Sequence, residues 1–542
     1  MFLQQTKRTV LLALLMVVAV VMAACGDKKN EAATADKDEE LKKITFSWSG
    51  DIGDLNPHTY MPNEFFSQAM VYESLVYYGE GGELQPALAE SWEVSEDGKT
   101  YTFHLRENVK FSDGSPFNAE VAKKNFDTIL ANRQQHEWVE LIHQFEDTEV
   151  VDEHTLKMTL KNAYYPALQE LTYIRPFRFV AETAFPESGD TFKDGLVEPI
   201  GTGPWVLKEH KKDQYATFVR NDHYWGEKPK LDEVTVKVMT DGESRVLAFE
   251  KGELDLIFGN GVISQDSFQF LKDSGKYETK LSEPTSTRMI MMNTQKEATK
   301  DKDVRLALNH AFNKEAVIEN IFYNTEKQAD TLFPKNIPYA DVDLQPYTYN
   351  LEQAKTLLDK AGWKEVKGKE FRQKDGKELT LDFLIMSTDN VQKSVAEYMQ
   401  GDYRKLGVNV NLISQETNTF WEKGFAGDYD MIFTYTWAVP FDPHSYLAAM
   451  TTPSDNGGPD YTAQLGLANK ADIDAKIKQV LVTIDEQERT KLYASILTDL
   501  HDTAMYIPVS HISNIAVYHK NLTGVEFLPQ QEEVPLNKID LQ

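Results

Sequence analysis

Residues 88–117 read LAESWEVSEDGKTYTFHLRENVKFSDGSPF. Within this stretch, residues 101–105 alternate apolar and polar side chains, which is typical of a strand with one buried face. Turn-forming Asp-Gly pairs stand on either side, at 97–98 and 113–114. Because such pairs favour hairpin turns, the stretch predicts an antiparallel β unit early in the chain.

The same kinds of pattern continue along the rest of the chain. Further strands are predicted at residues 45–48, 234–239, 288–292, 379–385, 408–413 and 429–434. Helices are predicted at residues 303–311, 351–361 and 392–406. The last two helices are followed by Gly362 and Gly407, as helix C-termini prefer. The helix–glycine–strand order over residues 392–413 indicates an α/β unit.

Length and composition limit the class of protein. The chain has 542 residues, of which 41% are hydrophobic and 26% charged. This is the balance of a soluble globular protein with two or three large domains, and it excludes a disordered chain or a polytopic membrane protein. The formal charge of −28 also argues against a nucleic-acid partner, because phosphate binding needs an excess of Lys and Arg.

The first residues have the character of an export signal. Lys7 and Arg8 precede an apolar run of 15 residues, 10–24, which is shorter than the roughly 20 residues that span a membrane. Two alanines then precede Cys25, as in bacterial lipoprotein signals, which are cut before a cysteine that receives a lipid. We therefore expect a signal peptide at 1–24 and a lipid on Cys25. An uncleaved anchor or an incidental cysteine is the alternative.

The segment after the cysteine predicts a flexible tether at 25–43. Eleven of the 18 residues from 26 to 43 are charged and none is aromatic, so this part cannot bury enough apolar surface to order itself. Cys25 is also the only cysteine, which excludes an internal disulfide.

A search for catalytic and metal-binding motifs gives little. The sequence has no Gly-x-Ser-x-Gly elbow, Walker loop or Rossmann fingerprint. Residues 136–140 contain half of a zincin motif, without the second histidine that a zinc site on one helix face needs. The 12 histidines show no His-x-His or His-x-x-x-His spacing. We therefore expect no enzyme, and any transition metal would arrive already chelated.

Arg175 is the most suggestive polar residue. It lies in the apolar and aromatic run YIRPFRF, residues 173–179. A buried arginine needs an anion, because an unpaired buried charge costs several kcal/mol. Either a protein carboxylate or the carboxylate of a ligand could supply that anion. Aromatic clusters occur near residues 60–65, 138, 164–166 and 437–441, for which core packing is the alternative to a binding role.

Residues 88–117 also resemble the signature of the extracellular solute-binding proteins of family 5, the peptide- and nickel-binding components of ABC importers. Residues 201–205, 221–226, 252–255 and 354–363 fit the same family in the same order, so the resemblance covers about residues 44–540. It implies an α/β, two-lobed periplasmic-binding-protein-like clamp of type II with a hinge between the lobes. Lobe I would take 44–284, lobe II 285–510, and 511–542 would return to lobe I.

The nickel-binding branch is the closer match, through residues 55–58, 70–76, 163–171, 175–179 and 437–444. By resemblance, Arg175 clamps carboxylates of a metal chelator, and aromatic residues line the cleft. Gln135 stands where the branch has a second arginine, and Asp455 where it has a nickel-ligating histidine. The implied ligand-binding residues are Arg175, Trp138, Trp437, Tyr60, Phe65, Phe441 and Gln135, with Asp455 as the candidate metal ligand.

The implied function is capture of a nickel or related transition-metal chelate, such as a metal–histidine or opine-metallophore complex. Such a complex presents carboxylate edges to an arginine fork and flat organic faces to tryptophan. The protein would be a monomer without an intrinsic cofactor, held by lipid on the outer face of the cell membrane, and would deliver the chelate to an ABC permease. An oligopeptide-binding protein of the same architecture and an exported enzyme such as a peptidase are the alternatives.

Overall fold

The structure is a computed structural model that describes residues 41–60, 64–437, 442–452, 458–530 and 533–542. Cys25, Phe441 and Asp455 lie outside the described residues, as does the expected signal peptide at 1–24. Residues 42–542 make up one of the two units of the chain, and all the elements described below belong to it.

The strands, in chain order, are β1 (Lys43–Trp48), β2 (Val76–Tyr78), β3 (Leu84–Pro86), β4 (Ala89–Val94), β5 (Thr100–Leu105), β6 (Phe145–Asp152), β7 (Thr155–Leu160), β8 (Trp205–Lys211), β9 (Tyr215–Arg220), β10 (Glu233–Val238), β11 (Leu256–Gly259), β12 (Glu278–Leu281), β13 (Ser286–Met292), β14 (Lys327–Gln328), β15 (Gln373–Lys374), β16 (Lys377–Glu378), β17 (Thr380–Met386), β18 (Asn409–Gln415), β19 (Met431–Tyr435), β20 (Tyr506–Ile512), β21 (Ile515–Tyr518), β22 (Leu522–Thr523) and β23 (Asp540–Leu541).

The α-helices are α1 (Phe65–Val71), α2 (Ala119–Ala131), α3 (Glu140–Gln144), α4 (Ala167–Glu170), α5 (Gly242–Glu250), α6 (Gln265–Asp273), α7 (Lys302–Ala311), α8 (Lys314–Asn320), α9 (Leu351–Lys360), α10 (Asn390–Lys405), α11 (Thr417–Ala426), α12 (Pro443–Ala449), α13 (Asp460–Gln464), α14 (Lys470–Val482) and α15 (Glu486–Asp502). Short 3₁₀ helices lie at Glu80–Gly82, Arg133–His136 and Glu182–Ala184.

The stretch at 88–117 forms the start of a four-stranded antiparallel sheet in the order β4-β5-β7-β6. The side chains of Tyr101, Phe103 and Leu105 are buried on one face of β5, which confirms the predicted alternation. Gly98 forms part of the turn between β4 and β5 and has a φ of 68°, a conformation in which a side chain would be strained.

A seven-stranded sheet has the order β12-β21-β11-β1-β10-β9-β8. β1 runs parallel to both β10 and β11, and the other pairs are antiparallel. At one edge, Leu281 of β12 faces Ile515 of β21. This sheet therefore joins strands from residues 43–281 to a strand near the end of the chain.

A six-stranded sheet has the order β14-β20-β13-β19-β17-β18. β17, α10 and β18 form a parallel β–α–β unit, which confirms the α/β unit predicted over residues 392–413. The Asp389 side chain caps α10 by accepting hydrogen bonds from the backbone of Val391 and Gln392. Gly407 follows the helix with a φ of 81°, as a C-terminal glycine should.

The chain passes between the two large sheets at two places, from β12 to β13 and from β20 to β21. These connecting segments are hydrogen-bonded to each other, because the Ser282 amide donates to the Asn514 carbonyl over 3.0 Å. The Asn514 amide in turn donates to the Ser282 hydroxyl over 2.8 Å. Both connections therefore lie side by side.

Other sequence predictions also hold, with small shifts in bounds. The strand expected at 429–434 begins two residues later, at Met431, and the helix expected at 392–406 begins at Asn390. Among the described helices, none is both long enough and apolar enough to cross a lipid bilayer.

Candidate functional site: an arginine held among aromatic rings

Arg175 is buried, with 9% of its surface exposed. Its Nη1 atom donates a hydrogen bond of 2.8 Å to the backbone carbonyl of Tyr60. Its Cζ atom lies 4.0 Å from the ring centroid of Phe65 and 5.2 Å from that of Tyr60. Two of the predicted aromatic residues therefore surround the predicted arginine, at distances typical of cation–π contacts.

Three separate parts of the chain build this arrangement. Tyr60 lies in the segment between β1 and α1, and Phe65 is the first residue of α1, for which Glu64 is the N-cap. Arg175 lies beyond α4, before a cis peptide bond to Pro176. β1, which precedes the Tyr60 segment in the chain, is the central strand of the seven-stranded sheet.

Trp138 is the third aromatic residue near Arg175, and we refer to Tyr60, Phe65 and Trp138 as the aromatic group. Its ring is stacked on that of Tyr173, with centroids 5.6 Å apart and an angle of 2° between the planes. It also meets the Tyr60 ring edge-on, at 5.9 Å and 70°. Trp138 is half-buried, so part of its surface stays open to a ligand.

His136 holds the Tyr60 side chain in place. Its Nδ1 atom forms a short hydrogen bond with the Tyr60 hydroxyl. Burial lowers the pKa of His136 to about 3 and raises the pKa of Tyr60, so the histidine is neutral and the phenol protonated near neutral pH. The neutral imidazole nitrogen can therefore accept a hydrogen bond from the phenol hydroxyl. Gln135, the residue before it, is exposed on the same 3₁₀ helix.

The electrostatics of the site couple Arg175 to Glu64. Burial lowers the pKa of the Arg175 guanidinium, and the negative charge of Glu64 opposes that shift. Burial raises the pKa of the Glu64 carboxyl, against the effects of the Trp48 hydrogen bond and the Arg175 charge. Each charge thus lowers the free-energy cost of burying the other.

Arg178, three residues further along the chain, contacts a carboxylate of the protein. Its Nη2 atom forms an ion pair of 3.1 Å with Glu533, and both side chains are largely buried. Its Nη1 atom also donates to the carbonyl of Tyr72 over 3.2 Å. The two arginines of the 173–179 run therefore have different surroundings: Arg178 packs against a protein carboxylate and Arg175 against aromatic rings.

Trp437 is linked to this group indirectly. It follows β19 and meets Tyr446 of α12 edge-on, with centroids 6.1 Å apart. The neighbouring Ser445 hydroxyl lies 2.6 Å from the Tyr173 hydroxyl, and Tyr173 in turn carries Trp138. The structure thus brings Tyr60, Phe65, Trp138 and Arg175 into direct contact, and joins Trp437 to them through α12 and Tyr173.

The residues in the described ranges contain no group of three or more His, Cys, Asp or Glu side chains that could hold a metal ion. Asp455, the candidate metal ligand, lies outside the described residues.

Two supporting residues could not be found from the sequence. The sequence shows His136 only as half of a zinc motif, and Tyr173 only as a neighbour of Arg175. The Tyr60–His136 hydrogen bond joins residues that are 76 positions apart, so no local pattern could reveal it. The Trp138–Tyr173 stack likewise depends on how two loops meet.

Comparisons with known proteins agree with this architecture. A family model described as bacterial extracellular solute-binding proteins, family 5 Middle, matches residues 83–458. The nickel-binding periplasmic protein of Escherichia coli K12 is 45% identical over 519 residues, 96% of this chain and 97% of that protein. The dipeptide-binding protein of the same organism is 26% identical over 529 residues, covering 91% and 94% of the two chains.

A solved structure is similarly close. The crystal structure of NikA from Brucella suis in complex with Fe(III)-EDTA is 46% identical, with a TM-score of 0.89, over 92% of this chain and 100% of that one. This likeness confirms the predicted α/β, two-lobed periplasmic-binding-protein fold. The chain therefore belongs to the bacterial extracellular solute-binding proteins of family 5.

Proposed function

We propose that this protein captures a chelate of nickel, or of a related transition metal, outside the cytoplasm and delivers it to the permease of an ABC importer. The main support for the proposal is the environment of Arg175. This arginine is buried and contacts Phe65 and the backbone of Tyr60. Its guanidinium is suited to the carboxylates of a chelator, which it would bind with two parallel hydrogen bonds.

The relatives support a chelate rather than a bare ion. The 45% identical relative is named for nickel, and the 46% identical structure holds Fe(III)-EDTA, a metal within a polycarboxylate. The peptide-binding relative is more distant, at 26% identity. Nickel is the cargo in this proposal, and the protein has no catalytic role and no cofactor of its own.

The remaining predicted residues have parts in the same site. Tyr60, Trp138 and Trp437 would contact the flat organic faces of the chelate, together with Phe65 and Phe441. Gln135 would offer hydrogen bonds where a second charge is lacking. Asp455 would be a minor oxygen ligand, since carboxylate is a harder donor to nickel than imidazole.

A hinge would let the two lobes close on the ligand. The proposed lobe I, 44–284 with the return at 511–542, contains the four- and seven-stranded sheets. The proposed lobe II, 285–510, contains the six-stranded sheet except for the last two residues of β20. The adjacent connecting segments near residues 282 and 514 suit a hinge, because two short crossings restrict the motion to a rotation.

We further propose that the mature protein starts at a lipidated Cys25 and is held on the outer face of the membrane as a monomer. Cys25→Ala should remove the lipid and release the protein into the medium. Labelling cells with an alkyne-tagged fatty acid tests this directly. Label retained by the variant would contradict the anchor without affecting the ligand proposal.

The ligand is best identified by native mass spectrometry of residues 26–542 purified from rich medium, with elemental analysis of the same sample. We expect a mass increment equal to one metal plus one organic chelator per monomer. The purified protein should bind nickel with histidine and not nickel alone. A metal-free series of peptide masses would instead support the oligopeptide-binding alternative.

A further inference from the structure

A cavity of about 350 Å³ lies where the two large sheets meet, next to the aromatic group. We refer to it as the hinge-end cavity. Strands of both sheets and both connecting segments contribute to its wall, which includes Trp48, Glu64, Phe65, Asn260, Thr285, Arg288, Tyr435 and Asn514. Its volume is that of a small-molecule site. Phe65 belongs both to this wall and to the surroundings of Arg175, so the cavity adjoins the proposed chelate site.

Aromatic rings from both sheets line the hinge-end cavity. Trp48, at the end of β1, packs on Phe66 with ring centroids 4.5 Å apart, which fixes its orientation. Tyr435 ends β19 of the six-stranded sheet and is 42% exposed. Together with Phe65, these rings offer π-electron faces that attract cations as well as apolar groups.

Glu64 provides a carboxylate in this aromatic wall. The indole Nε1 of Trp48 donates to its Oε2 atom over 3.0 Å. A Cβ atom at Gly50 would lie 2.7 Å from its Oε1 atom, so the carboxylate packs closely against this glycine. Glu64 is thus held in one position and partly removed from water, although it keeps the capacity to accept further hydrogen bonds.

The other charged group of the wall, Arg288, is already neutralised. Its Nε atom lies 3.1 Å from both carboxylate oxygens of the buried Glu326. Its Nη2 atom donates to the side-chain oxygen of Asn260 over 3.1 Å. The charge that remains for a ligand in this cavity is therefore the negative charge of Glu64.

Binding of a chelate would change the balance of charge around Glu64. In the ligand-free protein, the positive charge of Arg175 helps to stabilise the Glu64 carboxylate. A chelator carboxylate on Arg175 would offset that charge and leave Glu64 half-buried beside a second anion. A positive group on the ligand would restore the balance.

From this geometry we propose that the hinge-end cavity binds a protonated amino group carried on an arm of the chelate. Glu64 accepts its hydrogen bonds, and Trp48, Phe65 and Tyr435 surround it. This inference rests on the proposed chelate function and adds to it the chemical class of the ligand: a metal complex with both free carboxylates and an ammonium group.

Two nickel complexes test the inference. Nickel nitrilotriacetate has no ammonium group, whereas the nickel complex of Nα,Nα-bis(carboxymethyl)-L-lysine has the same metal-binding head and a four-carbon ammonium arm. By calorimetry, the wild-type protein should bind the lysine-derived complex about tenfold more tightly. Glu64→Gln, which keeps the side-chain volume, should remove this difference, because the ammonium arm loses its anion and nickel nitrilotriacetate loses a neighbouring negative charge that opposes its carboxylates.

The matched control is Glu83→Gln, which neutralises an exposed glutamate outside the cavity and should preserve the preference. Equal affinity of the wild type for both complexes, or a preference that survives Glu64→Gln, would overturn the inference. If neither complex bound, and nickel with histidine also failed to bind, the chelate proposal itself would fail. Binding of butylammonium alone would then test the hinge-end cavity. If that binding were not saturable, or did not depend on Glu64, the inference would be overturned.

Discussion

The guanidinium of Arg175 lies close enough to Phe65 for its Cζ atom to be 4.0 Å from the ring centroid. With the Tyr60 carbonyl accepting from Nη1, the side chain is held before any ligand arrives. An ordered arginine loses less conformational entropy on binding than a free one, so more of its interaction energy is available for affinity. In the proposed site, where Gln135 would stand in place of a second arginine, this contact would favour tight binding by a single arginine.

Arg175→Ala should weaken binding of the nickel–histidine complex by about 2–4 kcal/mol, as for loss of one partner of a desolvated charge pair. Calorimetry measures this. Arg220→Ala is the matched control, because Arg220 pairs with Asp232 in a strand away from the aromatic group and should leave affinity unchanged. Equal affinities of the Arg175 variant and the wild type would exclude a clamp role.

Arg178→Ala should act on stability rather than on affinity. Removing Arg178 leaves Glu533 buried without its ion-pair partner, which we expect to lower the free energy of unfolding by about 3–5 kcal/mol. Urea unfolding of the ligand-free protein measures this. A normal unfolding midpoint combined with lost chelate binding would reverse the roles of the two arginines.

Asp455→Ala should change affinity for the nickel–histidine complex much less than Arg175→Ala does. The reason is chemical: a carboxylate is a weaker donor to nickel than imidazole, and a chelated metal has few open positions. Titration of both variants with the same complex compares them. A larger loss for the Asp455 variant would make this residue a direct metal ligand.

Tyr60→Phe should lower the free energy of unfolding by about 1–3 kcal/mol, since it leaves the buried Nδ1 atom of His136 without its hydrogen bond. Adding His136→Phe should recover part of this loss, because replacing both partners by apolar groups removes the unsatisfied atom. Urea unfolding of the wild type, the two single variants and the double variant provides a double-mutant cycle. Strictly additive losses would show that the two side chains do not interact.

Glu73 should make the folded state less stable as the pH rises. Burial raises its pKa to about 7, although Trp225 donates to its carboxylate over 2.8 Å. Between pH 4.5 and 7 the folded state then holds a proton that the unfolded state has lost, so raising the pH destabilises the folded state. This destabilisation is present in full above pH 7 and absent below about pH 4.5.

Glu73→Gln should remove that dependence. Relative to the variant, the wild type should lose up to about 3 kcal/mol of unfolding free energy as the pH rises from 4.5 to 7, with no further change above it. Urea unfolding at several pH values compares the two, and the exposed Glu83→Gln serves as control. Parallel curves for wild type and Glu73→Gln would mean that the carboxyl is ionised throughout.

Local patterns in the sequence were enough to place many elements of the fold. The alternation at 101–105 and the glycines after residues 361 and 406 depend only on neighbouring residues, and β5, α9 and α10 lie where these patterns predict them. Sheet order could not be read in this way. β1 pairs with β10 and β11, strands about 200 residues away, which only tertiary packing determines.

The same division applies to the candidate site. Arg175 stood out because an arginine among aromatic residues is unusual, and family resemblance supplied Tyr60, Phe65 and Trp138. The partners that fix them, His136 and Tyr173, and the carboxylate of Glu64 depend on distances between separate loops. Composition also could not show the partner of Arg178, since Glu533 lies 355 residues further along the chain.

Leu281 and Ile515 face each other across the antiparallel pair β12–β21. Strands paired in this way are ordinarily joined by a loop of about two to five residues. Here residues 282–514, with a whole sheet of their own, occupy the place of that loop. The molecule thus has the topology of a parent domain with a guest inserted at a single hairpin, and the guest segment enters and leaves through neighbouring residues. A protein made of the parent domain alone would need only a short turn in place of residues 282–514.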